Sequence, residues 1–160
     1  METSARMISL GFSDQTFPEG QHICYIYNDD DERLRIMADY LKSGQEAKEK
    51  LLYLVDAMTS EEMLDYLKNA GIDFDGAKPG DISVAEAAPA YCPDGFFKTE
   101  ETLALVKNFY LDAIEQGYSG ARGTGEMGWC LQEGRANHYD LFDYEARLNT
   151  LLAKYPYTAC

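Results

Sequence analysis

A chain of 160 residues with 46% hydrophobic and 26% charged residues has the composition of a globular protein, and its length predicts a single domain. Its formal net charge of −14 would repel nucleic-acid phosphates and anionic lipid headgroups, so we expect no direct contact with nucleic acid or a membrane. No apolar run approaches the roughly 20 residues of a membrane-spanning helix, and the N-terminus lacks a signal-peptide pattern. We therefore expect a cytoplasmic protein.

The first half of the chain predicts alternating strands and helices. Residues 1–20 are polar and are expected to form an irregular N-terminal arm, which leaves 21–160 as the folded domain. The aromatic and β-branched run at 22–27 predicts a first strand. N-cap candidates followed by apolar residues at helical spacing predict a helix over 31–43, and the continuous apolar run 51–55 predicts a strand buried on both faces.

The next elements are a helix, a loop and a short strand. A capping box at Thr59 predicts a helix that ends at Gly71. Residues 72–81 are expected to form a loop and 82–84 a short strand. The turn-rich segment 85–98 is long enough to act as a lid.

The final third completes the predicted fold. Thr99 is expected to cap a long helix that ends at Gly117, and a strand follows within the glycine-rich stretch 120–130. A last helix is expected over about 139–154 and a closing strand from 155. This order predicts an α/β protein with three α/β/α layers and a mostly parallel central sheet. In such folds, ligands bind beyond the carboxyl ends of the strands.

The glycine-rich stretch contains the spacing of a dinucleotide-binding loop, G-x-G-x-x-G, at 123–128. No good crossover helix follows it directly, and Glu126 would lie inside the phosphate loop, so nucleotide binding is disfavoured. A strand that another backbone or a ligand approaches closely is the better interpretation. No G-x-x-x-x-G-K-[ST] sequence occurs, so we expect no ATP hydrolysis by a phosphate-binding loop.

Three charged residues form the most informative candidate group. Arg122 and Glu126 would share one face of an extended strand. Glu145 lies on the apolar stripe of the last predicted helix, where a carboxylate needs a partner, and Arg122 is available. Two interpretations remain open, namely an internal ion pair that fixes the strand to the helix and a polar floor for a small ligand.

Cysteine and histidine provide a second, competing chemistry. His22 and Cys24 would point to the same face of the first strand and could begin a zinc, iron or haem site completed by Cys92, Cys130 or His138. The clustered spacing typical of such sites is absent, and buried thiols are the alternative. A cysteine–histidine nucleophile is also conceivable, but no nucleophile motif surrounds either cysteine. The sequence identifies no cofactor.

Five segments together carry a resemblance to a known family. They are 22–27 with the acidic loop after it, 52–55, Tyr91 with Gly95 and Phe96, 120–129, and 144–149. In order and spacing they resemble the methanogen/methylotroph sensory domain, MEDS, which is also found in the dichloromethane-utilisation regulator.

The resemblance implies a RecA-like fold, similar to the circadian-clock ATPases but without the phosphate loop. It also implies a non-catalytic sensory module that senses small hydrocarbon derivatives or C1 compounds. Such modules are usually combined with signalling or DNA-binding domains. The family motif residues carried over are His22, Arg122, Glu126, Trp129 and Glu145. No output domain accompanies the motif segments, so we expect either an excised domain or a stand-alone sensor that acts through a partner.

We therefore expect a cytoplasmic sensor that binds a small molecule and signals through a regulatory protein or a homodimer contact. The predicted ligand-binding residues are His22, Tyr27, Tyr91, Arg122, Glu126, Trp129 and Glu145. The alternatives are a redox, metal or haem sensor based on His22 and the cysteines, and a pure protein-interaction module.

Overall fold

The computed structural model describes residues 5–76 and 80–160, so part of the loop predicted at 72–81 lies outside the described residues. The elements in chain order are β1 (Met7–Ser9), β2 (Thr16–Pro18), α1 (Asp30–Glu46), β3 (Lys50–Val55), α2 (Ser60–Asn69), β4 (Ile82–Glu86), α3 (Ala87–Tyr91), α4 (Thr99–Glu115), β5 (Ala121–Gly125), α5 (His138–Lys154) and β6 (Thr158–Ala159). A single 3₁₀ turn, Gly128–Leu131, follows β5. None of the helices in the described part of the chain is long and apolar enough to cross a membrane.

A four-stranded parallel sheet with the order β4-β3-β5-β6 forms the centre of the molecule. One face of β3 carries Leu51, Tyr53 and Val55, which belong to the apolar core formed with α1 and α2. On the other face, Leu54 belongs to the core formed with α3, α4 and α5, and Leu52 packs against it. This arrangement confirms the predicted three-layer α/β/α fold and the prediction of a strand buried on both faces.

Local sequence signals explain where the first helices begin. The Asp29 side chain accepts a hydrogen bond from the Glu32 amide at the start of α1, and Thr59 and Glu62 form the predicted capping box at the start of α2. The start of α4 differs from the prediction. Lys98 is its N-cap, and the Thr99 hydroxyl instead donates to the carbonyl of Asp140 (3.0 Å), which ties α4 to α5.

The prediction of a first strand at 22–27 is wrong. His22 forms an isolated parallel bridge with Ala159, and the Ile23 amide donates to the Ala159 carbonyl (2.8 Å), but the chain then leaves the sheet. Residues 24–27 form no strand pairing with β6. We call residues 22–28 the edge segment; its Ile26 is 86% exposed.

The N-terminal arm was predicted to be irregular, but part of it is regular. Strands β1 and β2 pair as an antiparallel hairpin. Ile8 and Leu10 are buried in the same apolar core as α1. Arg6 forms ion pairs with Glu19 and with the buried Glu49. The hairpin is therefore a packed part of the α1 face of the sheet.

Candidate functional site

A cavity of about 550 Å³ lies at the carboxyl edge of the sheet. Its wall is formed by the edge segment, the carboxyl ends of β3 and β5, the 3₁₀ turn, and side chains of α1, α4 and α5. Most of the wall is apolar, and the volume falls within the range typical of small-molecule sites. The location agrees with the rule that parallel α/β sheets bind ligands beyond the ends of their strands.

The glycines of β5 make room for tyrosines in the cavity wall. A Cβ atom at Gly123 would overlap with the Tyr157 hydroxyl, and one at Gly125 would overlap with the Tyr91 hydroxyl. Side chains on this strand would therefore displace both rings. The prediction that something approaches the glycine-rich strand closely is confirmed, and what approaches it is a pair of phenol groups from α3 and from the chain before β6.

Glu126 is the centre of a polar network at one end of the cavity. One carboxylate oxygen accepts hydrogen bonds from Arg33 and from the Tyr53 hydroxyl (2.8 Å). The other accepts from the backbone amides of Asp56 and Ala57, both at 2.7 Å. Burial, followed by the charge of Glu126, raises the pKa of Tyr53, so this hydroxyl stays protonated at neutral pH.

Arg33 contributes the cationic part of this network, although it is only 2% exposed. Its Nε donates to Asp30 (3.2 Å) and its Nη1 to Glu126 and to the Tyr53 hydroxyl (3.2 Å). Its Nη2 is buried without a hydrogen-bond partner among the described residues. The guanidinium lies over the ring of Tyr27, with 5.8 Å between Cζ and the ring centroid, and both side chains line the cavity.

Arg122 does not line the cavity, which differs from the prediction. Its guanidinium is fully buried on the α1 face, where it pairs with Glu49 and donates to the Tyr40 carbonyl (2.9 Å) and the Ser43 hydroxyl (2.7 Å). The predicted Arg122–Glu126–Glu145 group therefore does not form. Of the two interpretations left open, the internal ion pair is the one that the structure shows for Arg122. Its partner is Glu49 rather than Glu145.

Glu145 lines the cavity and pairs with His22 (Nε2–Oε2 3.1 Å). The other ring nitrogen of His22 hydrogen-bonds to the Asn149 side chain (3.1 Å). The hydrogen bond that His22 donates to Glu145, more than any other contact, raises the pKa of His22. These contacts attach the start of the edge segment to α5.

Trp129 supports the wall of the cavity without lining it. It is fully buried, and it stacks on Tyr91 (4.9 Å between centroids) and packs against Phe97 (5.5 Å). The predicted lid segment 85–98 is a packed element in this structure, because it contains α3 and buries Tyr91 and Phe97. Of this segment, only Ala90 and Tyr91 reach the cavity.

Comparison with known families now identifies the chain. A family model described as the methanogen/methylotroph, DcmR sensory domain matches residues 21–160. The chain belongs to the MEDS family. This confirms the resemblance seen in the sequence and supports a sensory role. A search of curated proteins found no match.

The cysteines of this MEDS domain do not assemble with His22 into the cluster that the alternative of a metal sensor requires. Cys24, Cys130 and Cys160 line the cavity with His22, but Cys92 and His138 do not. Across residues 5–76 and 80–160, no group of three or more His, Cys, Asp or Glu side chains is placed to hold a metal ion. Burial raises the pKa of Cys130, which keeps its thiol protonated and makes it a weak nucleophile.

Five of the seven predicted ligand-binding residues of this MEDS domain line the cavity, namely His22, Tyr27, Tyr91, Glu126 and Glu145. Sequence reasoning missed Arg33, Tyr53 and Tyr157. Arg33 stands in an acidic helix start that looks solvent-exposed, and only its position one turn before the buried Met37 places it on the inner face.

Proposed function

We propose that this MEDS domain is a non-catalytic sensor that binds a small organic molecule in the cavity at the carboxyl edge of its sheet. The observation that carries the proposal is the cavity itself, with a volume of about 550 Å³ and a mainly apolar wall that includes the polar network around Glu126. A C1 compound would fill only a small part of this volume. The size favours a larger hydrocarbon derivative.

The hydrogen bonds of the polar end support binding rather than catalysis. The Glu126 carboxylate already accepts from two side chains and two backbone amides, so its lone pairs are engaged and it is a poor general base. Burial raises the pKa values of Tyr91 and Tyr157, so their hydroxyls stay protonated and can serve as hydrogen-bonding groups.

The edge segment is the part of the cavity wall that we propose transmits the signal. It lacks regular strand hydrogen bonds beyond its first residues, and His22 attaches it to α5. A ligand in contact with Tyr25 and Tyr27 would stabilise one arrangement of this segment over others. This change would alter the contact that the exposed Ile26 makes with a regulatory protein or a second copy of the domain.

A ligand screen with a matched pair of variants tests this function. Ligand-observed NMR with a library of small neutral organic molecules should find binders of the wild-type chain. Val106→Trp, which places a bulky ring on the cavity wall, should abolish binding. Leu111→Trp on the same helix is the control, because Leu111 is 42% exposed and outside the cavity. If no compound binds, or both variants bind equally well, the proposal is wrong and a pure interaction module is favoured.

A further inference from the structure

The unpartnered Nη2 of Arg33 has a consequence for the kind of ligand that the cavity accepts. A buried guanidinium normally has its N–H groups satisfied, because leaving a buried donor unpaired is unfavourable. Here Nε and Nη1 have partners and Nη2 has none in the described part of the chain. Arg33 is also one of the residues that line the cavity.

A second buried arginine has the same unpartnered Nη2 but lies away from the cavity, so it serves as an internal comparison. Arg122 likewise has an Nη2 without a partner among the described residues, but it lies against Glu49 on the α1 face and does not line the cavity. Arg33 alone of the two is placed where a ligand could supply the missing acceptor. The half-exposed ring of Tyr27, which lies over the Arg33 guanidinium in the irregular edge segment, is the side chain that would move to admit it.

The charges around the cavity restrict the ligand further. Asp56, Glu126 and Glu145 all line it, whereas Arg33 and His22 are the basic residues of the wall. Arg33 is already paired with Glu126 and Asp30, and His22 with Glu145. Burial and the nearby Glu126 raise the pKa of Asp56, because a partly buried carboxylate beside another negative charge is unfavourable. An anionic ligand would meet this same repulsion.

We infer that the cavity selects an uncharged ligand with an apolar body and one strong hydrogen-bond acceptor, such as a ketone or amide oxygen, which accepts from Nη2 of Arg33. This inference rests on the proposed function, since it names the class of ligand for the same cavity. The apolar body lies against the tyrosines and leucines of the wall, and the acceptor lies at the polar end beside Glu126.

Three probes of the same shape test the inference by equilibrium dialysis. 2-Acetylnaphthalene carries a neutral acceptor, 2-isopropylnaphthalene carries none, and 2-naphthoate carries an anionic one. Because a hydrogen bond to a charged donor is worth about 1.5–3 kcal/mol, the ketone should bind about 10- to 100-fold more tightly than the isopropyl compound. It should also bind more tightly than the carboxylate.

Two arginine variants assign this preference to Arg33. Arg33→Lys keeps a cation beside Glu126 but removes Nη2, so the ketone and the isopropyl compound should bind it about equally. Arg122→Lys is the control and should keep the full preference. If Arg33→Lys does not fold, the side-chain ¹⁵N signal of Arg33 in the wild-type chain should shift with the ketone and not with the isopropyl compound.

The possible results separate the inference from the proposed function. Equal binding of ketone and isopropyl compound to the wild type, tightest binding of the carboxylate, or a preference that survives in Arg33→Lys would overturn the inference and leave a ligand-binding cavity. Failure of all three probes to bind, while the library yields other binders, would overturn the inference alone, and an empty library screen as well would overturn both.

Discussion

Arg122 and Glu49 form an ion pair in which both side chains are completely buried. The Glu49 carboxylate also accepts a hydrogen bond from Nη2 of Arg6 (2.5 Å). Arg6 directly precedes the β1–β2 hairpin. One carboxylate therefore connects the N-terminal hairpin, the start of β3 and the start of β5. Its loss would leave the guanidinium of Arg122 buried without a counter-charge.

Glu49→Ala should accordingly lower the free energy of unfolding by about 3–5 kcal/mol, the usual cost of removing one partner of a buried ion pair. Urea denaturation followed by circular dichroism measures the change. Glu46→Ala, an exposed position three residues earlier, is the control and should change stability by less than about 0.5 kcal/mol. A loss below about 1 kcal/mol for Glu49→Ala would show that the pair does not hold the fold together.

Glu126→Gln tests the polar network of the cavity. An amide has only one acceptor oxygen and no charge, so it cannot accept from Arg33, Tyr53 and both backbone amides at once. We expect a loss of about 1–3 kcal/mol in unfolding free energy. The exposed Glu133→Gln is the matched control. Equal stability of the two variants would contradict the network.

The sequence was most informative where the signal is local. The capping box at Thr59 and the apolar run before Val55 gave α2 and β3 nearly to the residue. The strand predicted at 22–27 is wrong because a run of aromatic and β-branched residues forms a strand only where a neighbour pairs with it, and this run pairs with β6 only at His22 and Ile23. No local pattern shows whether such a run will find a paired neighbour.

In the candidate site, too, local features could be predicted from the sequence and pairings between distant residues could not. Polar residues near strand ends could be predicted to meet, and Glu126 and Tyr91 do line the cavity. The partner of each charged group could not be predicted, because the partners are far apart in the sequence. Glu49 is 73 residues from Arg122, and Glu126 is 93 residues from Arg33. Such pairings depend on strand register and helix rotation, which the sequence of one element does not determine.

Gly125→Ala tests the close approach of Tyr91 to β5. The added methyl group would overlap with the Tyr91 hydroxyl and force the ring away, at a cost of about 1–3 kcal/mol in unfolding free energy. Combining it with Tyr91→Phe removes the overlapping oxygen and should recover part of the loss. Tyr91→Phe alone supplies the baseline in the same urea titrations. Simple additivity of the two substitutions would contradict the contact.

Glu145→Gln tests the link between the edge segment and α5 through its pH dependence. The pKa of His22 is higher in the folded than in the unfolded chain, so protonation stabilises the fold. This contribution is complete below the unfolded pKa of about 6.5 and is lost as the pH rises through the folded pKa.

The wild type should therefore exceed Glu145→Gln in stability near pH 5.5 and lose this advantage in alkaline solution. Because both side chains are partly exposed, the difference should not exceed about 1 kcal/mol. Unfolding titrations across pH measure it, with Glu133→Gln as the control. A difference that grows with rising pH would have the wrong sign for this contact.

The most direct test of the ligand cavity is amide chemical-shift mapping by NMR with 2-acetylnaphthalene. The account predicts saturable shifts at residues of the cavity wall such as Val106, Gly123 and Gly125, and unchanged signals in the β1–β2 hairpin. A spectrum that does not change up to the solubility limit of the ketone, or shifts confined to residues outside the cavity, would contradict it.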